Sequence, residues 1–488
     1  MKLNKLVNTE FDGDIDHLVL DSRDRVKNGM FFCLKGLTVD GHQFAQQAVE
    51  NGAVAVVHSD DIEPIEGVIY IRVEDVMTEL HRITDRFYDS PSKNMYVYGI
   101  TGTNGKSTTM LTVRNILKRF GVNAGYIGTI SVEYNDHKFA PSLTTPDIVE
   151  LQSYLHDMRS EGVEEVCLEV SSQGLALRRV ESIDFDNASF TNLTHDHLDY
   201  HKTMENYFEA KKMLFDNLKP SGFMVINIDN EYGETLLKQD YSHVVTYGIE
   251  NKNANYRAQN IVLHDDFTEF TLVHEGKSYD VVTNFVAIFN VYNMLNVIAI
   301  LHQRGYEIEK IIPELKDIEH VDGRQTMISK GQPYRVIVDF GHAPDSMKNV
   351  YEFVRETQPQ SARIITVFGA AGGRDTAKRP IMGRVASTYC DHVIITEHDN
   401  RDECVVDITE DIITGIDGDN YEFVPNRIDA IEKALKMAQP GDTVVLIGKG
   451  EEKFIYREHG TKEKWMGDEV CASRIIEKLY GGKENEIK

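Results

Sequence analysis

The chain has 488 residues, 41% of them hydrophobic, and sets 52 basic against 78 acidic side chains for a formal net charge of −26. That length implies two to four domains rather than one core, in a composition usual for soluble globular enzymes and binding proteins. The charge repels nucleic acid and anionic membrane surfaces, so a phosphate-bearing ligand has to be held by a local constellation. Five cysteines (Cys33, Cys167, Cys390, Cys404 and Cys471) lie far apart without a CxxC pair, which supports neither a disulfide framework nor a zinc site. The opening "MKLNKLVNTEFDGD" lacks the apolar core of a signal peptide, and no run reaches 18 apolar residues. A reducing cytoplasm is the expected location, with no nucleic-acid partner and no membrane insertion.

In chain order, the first 94 residues mix short strand-like runs such as "GMFFCLKG" and "GAVAVVHS" with helical patterns and close at the polar "YDSPSKN". "MYVYGI" then predicts a strand, followed by a glycine-containing turn and the amphipathic "KSTTMLTVRNILKRFG", with Gly121 as its C-cap. "EEVCLEVSS", "FDNASFTNL" and "GFMVINID" continue as buried strands between helical stretches, the pattern of a doubly wound α/β domain. Beyond "HVDGRQTM" a second alternating series begins, with "YRVIVDFGH", "ARIITVFGAAGG", "DHVIITEHDN" and "DTVVLIGKG" as its strands. The expected domains are 1–94, 95–326 and 327–488, and "GGKENEIK" reads as a frayed tail.

"GITGTNGKSTT" carries the strongest local signal. A glycine-rich turn between strand and helix aims backbone N–H groups at phosphates, Lys106 reaches the outer phosphates, and the Ser107 hydroxyl can ligate Mg²⁺. Ile100 occupies the place of the first P-loop glycine, so this is a P-loop variant; its plain alternative is an accidental GKS in a turn. Glu169 ends one strand and His197 follows another, so both can emerge at the carboxyl edge where α/β folds bind ligands. A His beside an Asp is just as often a loop residue bonded to that carboxylate.

In "HDHLDYHKTMENYFEAKKMLF", helical spacing puts Met204, Tyr207, Phe208, Leu214 and Phe215 on one face with Lys211 in the middle. A lone lysine there ordinarily snorkels its charge to water. A buried lysine of lowered pKa can instead add CO₂, and the carbamate so formed is an oxygen ligand of the kind Mg²⁺ prefers.

These segments, in this order over nearly the whole chain, resemble the Mur ligase family, which builds the peptide of peptidoglycan precursors. The resemblance implies three α/β domains: a small N-terminal substrate domain, a central P-loop-type ATPase domain and a C-terminal Rossmann-like domain. It implies an ATP- and Mg²⁺-dependent cytoplasmic amide ligase, acting as a monomer, that adds the third residue to UDP-N-acetylmuramoyl-L-alanyl-D-glutamate through an acyl phosphate. Within "DSRDRVKNGMFFCLKGLTVDGHQF", Ser22 is expected in the segment that receives the uridine end. Gly102, Thr103, Asn104, Gly105, Lys106, Ser107 and Thr108 match the ATP loop, and Asn293, Arg324 and Asp339 further nucleotide elements, with Asp339 at the ribose. Thr144, Thr145, Ser171 and Arg179 match the segments that grip the muramoyl dipeptide. Lys211 matches the family's carbamylated lysine, with Lys212 as its rival, and Ser107, Glu169, His197 and the Lys211 carbamate form the implied metal set. Lys106, His197, Lys211 and His342 stand at the implied reaction centre. Arg374 matches the arginine for the incoming amino acid's carboxylate, and Gly448 and Glu452 the recognition of its diamino side chain.

Gln173 departs from a usual His, Ala287 from a usual Gly before "FN", and Phe340-Gly341 from Tyr-Ala. "TEHDNRDE" replaces the DNPR that diaminopimelate users carry. Ungapped, Arg401 keeps the arginine; with a one-residue gap, Asp399-Asn400 match the first two positions and Arg401 the proline. Both diaminopimelate and lysine therefore stay open as acceptors, with a slight lean to the former. A folylpolyglutamate-synthetase-like ligase and a non-catalytic nucleotide-binding regulator are the alternatives. The uridine-type N-terminal segment speaks against the first, and joint retention of Lys106, Glu169, His197, Lys211 and Arg374 against the second.

Overall fold

The computed structural model describes residues 1–36, 39–319, 323–450 and 452–481. Leu37-Thr38, His320–Asp322 of "HVDGR", Glu451 and, after Gly481, the tail read above as frayed lie outside the described residues. The chain divides into two compact units: Met1–Gly99 with Leu117–Ala188 and Met213–Gly222, and Ile100–Ile116 with Ser189–Lys212 and the described residues from Phe223 onward.

In the first unit, β1 (His17–Val19), β2 (Gly29–Phe32), β3 (Ala53–His58) and β4 (Ile69–Arg72) pair side by side in parallel. Val19, Phe31, Cys33, Ala45, Ala48 and Val56 form the apolar layer under this small sheet. The Val76–Phe87 helix after it is started by Asp75, whose carboxylate accepts from the N–H groups of Met77 and Thr78. β5 (Tyr96–Thr101) leads into the glycine-rich loop. β6 (Ala124–Ile127) pairs in parallel with β9 (Glu165–Glu169), whose five residues are all buried, the apolar Val166–Leu168 between two glutamates. The antiparallel strands β7 (Val132–Tyr134) and β8 (His137–Phe139) extend from β6. β10 (Phe185–Phe190) and β11 (Leu218–Asn227) follow.

In the second unit, β11 pairs in parallel with β12 (Val244–Gly248), and β12 with β13 (Tyr256–Leu263). β14 (Thr268–His274) and β15 (Lys277–Thr283) then add antiparallel. The C-terminal sheet runs β16-β17-β21-β18-β19-β20, from Thr326–Met327, Arg335–Asp339, Thr443–Ile447, Ile364–Phe368, His392–Ile395 and Tyr421–Phe423 in that spatial order. Only β16 is antiparallel. One face packs on Met347, Val350, Met382, Ala386, Ile408 and Ile412, and the other on Ala430, Ile431, Leu435, Ala472 and Ile476. Helices cover both faces, which is the doubly wound arrangement.

The "TMENYFEAKKMLF" helix is shorter than its pattern suggests. It spans Met204–Lys212, and Met213–Asn217 continue as a tighter 3₁₀ turn. Tyr207, Phe208, Lys211, Leu214 and Phe215 are buried, whereas Met204, placed on the same stripe, is half-exposed at the first helical turn.

Ala287, the departure before "FN", precedes the Ile288–Arg304 helix at φ 75° and ψ 151°, backbone that glycine adopts easily and a Cβ strains. The strain is about 2 kcal/mol. Losing the buried methyl costs about 0.8 kcal/mol, and the freer unfolded chain roughly 0.5. Ala287→Gly is therefore expected to stabilise by about 1 kcal/mol, raising the melting temperature by about 2–4 °C. A lower melting temperature in a thermal scan would show that the methyl's packing outweighs the strain.

Candidate active site

The loop between β5 and the Lys106–Arg119 helix has no room for side chains at its glycines. A Cβ on Gly102 would lie 1.8 Å from Thr191 Oγ1, and one on Gly105 2.4 Å from Asn293 Oδ1. Both residues also have positive φ. Asn192 fixes the loop by accepting from Thr103 N at 2.9 Å through its carbonyl and from Asn104 N at 2.9 Å through its side chain. Lys106 Nζ donates to the carbonyls of Gly102 and Thr103, each at 3.0 Å, so the ammonium lies folded over the loop at the positive end of the helix. Ser107 and Thr108 are buried behind it. A cradle of this form, with a cation over it and a helix N-terminus beneath, fits the phosphates of a nucleotide.

Around that loop lies a cluster of charges. Lys211 is 2% exposed, with Nζ 4.6 Å from the centre of the Tyr207 ring. The Tyr207 hydroxyl in turn is 3.2 Å from Thr103 Oγ1. Burial, and then the nearby Lys106 ammonium, holds the Lys211 pKa well below the usual lysine range. Lys212 behaves otherwise: it is partly exposed and pairs with Glu209 at 2.6 Å. His197 stands at φ 54°, left-handed backbone that is uncommon outside glycine and clusters at functional sites.

Asp196, beside His197, is the charge at the centre of this group. Its carboxylate is 3.2 Å from Lys378 Nζ, 3.6 Å from His197 Nε2 and 3.8 Å from His342 Nε2. Burial pushes the carboxyl up, but Lys378 and the two histidines outweigh it and hold it well below the ordinary range. Burial and the surrounding lysines lower the His197 pKa, and burial and Lys378 push His342 down to about 4. Next to this group His195 Nε2 meets Asp375 Oδ2 at 3.2 Å, and Asn104 Nδ2 donates to Asp345 Oδ2 at 3.3 Å.

The nucleoside-type residues are also in the second unit. Asp339 accepts from Gly341 N at 2.6 Å and Gln325 N at 2.9 Å. Burial raises its pKa against the Arg324 guanidinium, which stacks 4.5 Å over the Phe340 ring. A Cβ on Gly341 would come 2.9 Å from Asp339 Oδ1, so the small residue at this departure makes room for the carboxylate.

Arg374 is exposed, and Arg401 feels its charge: burial and then Arg374 lower the Arg401 pKa. Two guanidiniums set to repel each other form a place for carboxylate. Arg401 donates through Nη1 to Gly372 O at 3.0 Å, and its φ of 49° shows that the missing proline has not given extended backbone here. Asp399 and Asn400 serve the loop itself. Asp399 Oδ1 accepts from Lys449 Nζ at 2.9 Å and Tyr456 N at 3.0 Å, and Asn400 Oδ1 accepts from Arg457 at 2.8 Å. Glu452 pairs with the same fully buried Lys449. Gly448 has φ 113°, and a Cβ on it would come 3.1 Å from His398 Cδ2.

In the first unit the structure joins three of the four dipeptide residues directly. Thr145 Oγ1 accepts from Ser171 N at 2.9 Å, Arg179 Nη1 donates to Thr145 O at 2.9 Å, and Ser171 Oγ caps the Ser172–Ala176 helix through Gly174 N. Thr144 Oγ1 accepts from Thr129 at 3.1 Å. Glu169 is wholly buried; it accepts from the Tyr126 hydroxyl, and from Thr129 N at 3.3 Å and Thr129 Oγ1 at 3.0 Å. A carboxylate has about four lone-pair sites, so these three donors leave capacity for a cation. Ser22 donates to Gln47 Oε1 at 2.7 Å and is buried.

Three family models match: Mur ligase family, catalytic domain, over 14–88; Mur ligase middle domain over 100–301; and Mur ligase, glutamate ligase domain, over 323–450. The chain is 38% identical to the UDP-N-acetylmuramoyl-L-alanyl-D-glutamate--2,6-diaminopimelate ligase 1 of Clostridium acetobutylicum, covering 98% of this chain and 100% of that one. The chain belongs to the Mur ligase family. The UDP-N-acetylmuramoyl-L-alanyl-D-glutamate--2,6-diaminopimelate ligase of Bacillus velezensis is also 38% identical, over 98% of this chain and 99% of its own. A solved structure titled as that ligase superposes with a TM-score of 0.68 at 27% identity, covering 98% of this chain and 99% of that one. Folylpolyglutamate synthase of Mycobacterium tuberculosis superposes at a TM-score of 0.64 with 14% identity, over 82% and 94% of the two chains, a likeness of fold alone.

The three α/β domains expected of a Mur ligase are thus present. The sequence reading passed over Asp196, Lys378, Asp345, Asp375, Lys449 and Gln325 in this one. Asp196 had a signal, since "HDH" puts a carboxylate between two imidazoles. The lysines had none: Lys378 meets Asp196, 182 residues away, and Lys449 meets Asp399, 50 residues away.

Proposed function

We propose that this Mur ligase joins meso-diaminopimelate to UDP-N-acetylmuramoyl-L-alanyl-D-glutamate, with ATP cleaved to ADP and phosphate. The observation that carries the reading is Lys211: a buried amine of lowered pKa packed beside the phosphate loop, the state in which lysine adds CO₂ with loss of a proton. Ser107, His197 and the resulting carbamate are oxygen and nitrogen donors suited to Mg²⁺. When bound, Mg²⁺ supplies charge neutralisation on the phosphoryl oxygens.

Loop N–H groups and Lys106 hold the ATP phosphates, and the γ-carboxylate of the D-glutamyl residue attacks the γ-phosphorus, releasing ADP. Arg374 and Arg401 hold the acceptor's carboxylates, orienting its neutral amine toward the acyl phosphate, whose collapse releases phosphate and leaves the amide. Water has to be excluded while the acyl phosphate exists. Diaminopimelate is favoured over lysine by the second carboxylate it offers to a pair of guanidiniums, and by the relatives, which are named as diaminopimelate ligases.

The test is phosphate release from ATP with the muramoyl dipeptide and each of meso-diaminopimelate, L-lysine and L-ornithine. Diaminopimelate is expected to be preferred by at least about 10²-fold in kcat/KM, the worth of charge-assisted hydrogen bonds to its second carboxylate. Preference for lysine or ornithine would overturn the choice of acceptor, and no release with any of the three would overturn the ligase reading.

A further inference from the structure

Gln325 is placed where a glutamine is expensive to keep. Its backbone is left-handed, at φ 48°, and its side-chain Nε2 is buried with no hydrogen-bond partner among the described residues. Its backbone N donates to Asp339 Oδ2 at 2.9 Å, and its side-chain Oε1 accepts from Asn290 Nδ2 at 3.0 Å. Asn290 Nδ2 donates also to Val286 O at 2.8 Å, while its Oδ1 accepts from Asn293 Nδ2 at 2.8 Å. Asn293 Oδ1 is what a Cβ on Gly105 of the phosphate loop would meet.

The amide orientations along this chain are forced. The Val286 carbonyl needs the Asn290 amino group as donor, so Gln325 has to turn its oxygen to Asn290, and Nε2 is left bare. We infer that Gln325 is a positioning residue for the nucleotide: it orients Asn290 and through it Asn293, while its own N–H sets the Asp339 carboxylate. Asn293 and Asp339, two of the residues that the family resemblance assigns to ATP, come from a middle-domain helix and a C-terminal-domain strand, and Gln325 holds both in one frame. This rests on the ATP-dependent reading and adds a residue that the sequence did not single out.

The experiment compares the wild-type chain with Gln325→Met, which keeps the volume and removes the acceptor. Calorimetric binding of a non-hydrolysable ATP analogue is measured beside KM for ATP, KM for the muramoyl dipeptide, and melting temperature. The expected result is an approximately 10-fold weaker Kd for the analogue, about 1.4 kcal/mol, with a matching rise in KM for ATP. KM for the dipeptide and the melting temperature should not move. If the Met variant does not accumulate folded, Gln325→Asn, which keeps an amide but falls one methylene short of Asn290, is expected to show the same selective loss. An unchanged Kd, or a fall in melting temperature with all constants shifted together, overturns the inference. Failure of the wild-type chain to bind the analogue would instead overturn the ATP reading itself.

Discussion

Lys211→Ala is expected to lower kcat by at least about 10³-fold, roughly 4 kcal/mol of transition-state stabilisation. The side chain is 2% exposed and its Nζ lies against the Tyr207 ring, so it cannot reach water as a snorkelling lysine does. Burial and the Lys106 charge favour the neutral amine, which is the reactive form toward CO₂. The amine's lone pair forms the N–C bond, one proton leaves, and a carboxylate results where an ammonium would have repelled Lys106. Truncation to alanine removes the carbamate and leaves a space of about its size, so formate, acetate or propionate should restore part of the activity. Lys212→Ala should stay within about twofold of wild type, because an exposed pair such as Lys212–Glu209 contributes little. Full turnover by the Lys211→Ala protein in a phosphate-release assay would eliminate the carbamate role; loss without rescue by any short acid would favour a packing role.

Asp196→Asn is expected to be nearly as damaging, for a different reason. Lys378 is the first residue of its helix, where the macrodipole disfavours a cation, and only 9% of its side chain is exposed. Asp196 is the carboxylate that compensates it. Removing one member of a buried pair leaves the other charge uncompensated and costs about 3–5 kcal/mol. The contact joins a middle-domain loop to the C-terminal domain beside His197 and His342, so the loss should fall on kcat/KM, by about 10²–10³-fold, as well as on stability. Lys378→Met should show a comparable defect. The double variant should lose much less than the two singles combined, with a coupling of at least about 1.5 kcal/mol. Additive losses in that cycle would refute the pairing, and wild-type kcat/KM in Asp196→Asn would remove Asp196 from the reaction centre.

Much of this protein was legible in its sequence because the relevant physics is local. The apolar runs "VCL", "VIV" and "VVLI" specify strands buried on both faces, and β9, β17 and β21 lie where those runs are. Gly102 and Gly105 mark positions where backbone closes on Thr191 and Asn293, and Lys106 follows them by covalent connection alone. The stripe around Lys211 is likewise a property of one helix, apart from its last turn, where the tighter Met213–Asn217 geometry departs from the 3.6-residue period.

Other features had no local signal. β14 and β15 add antiparallel beyond β13, an extension that the parallel series of apolar runs does not announce. Asp399 reads in sequence as a substrate residue, yet it pairs with Lys449, an ammonium 50 residues away that only the folded chain brings to it. The sequence by itself marked the parallel strands, the phosphate loop and a lysine within an apolar stripe, since each follows from periodicity or glycine placement within one segment. Tertiary structure alone decided which charges meet. Asp196 with Lys378, Gln325 with Asn290, and Arg374 beside Arg401 are set by the packing of segments tens to hundreds of residues apart, over distances at which sequence spacing carries no information.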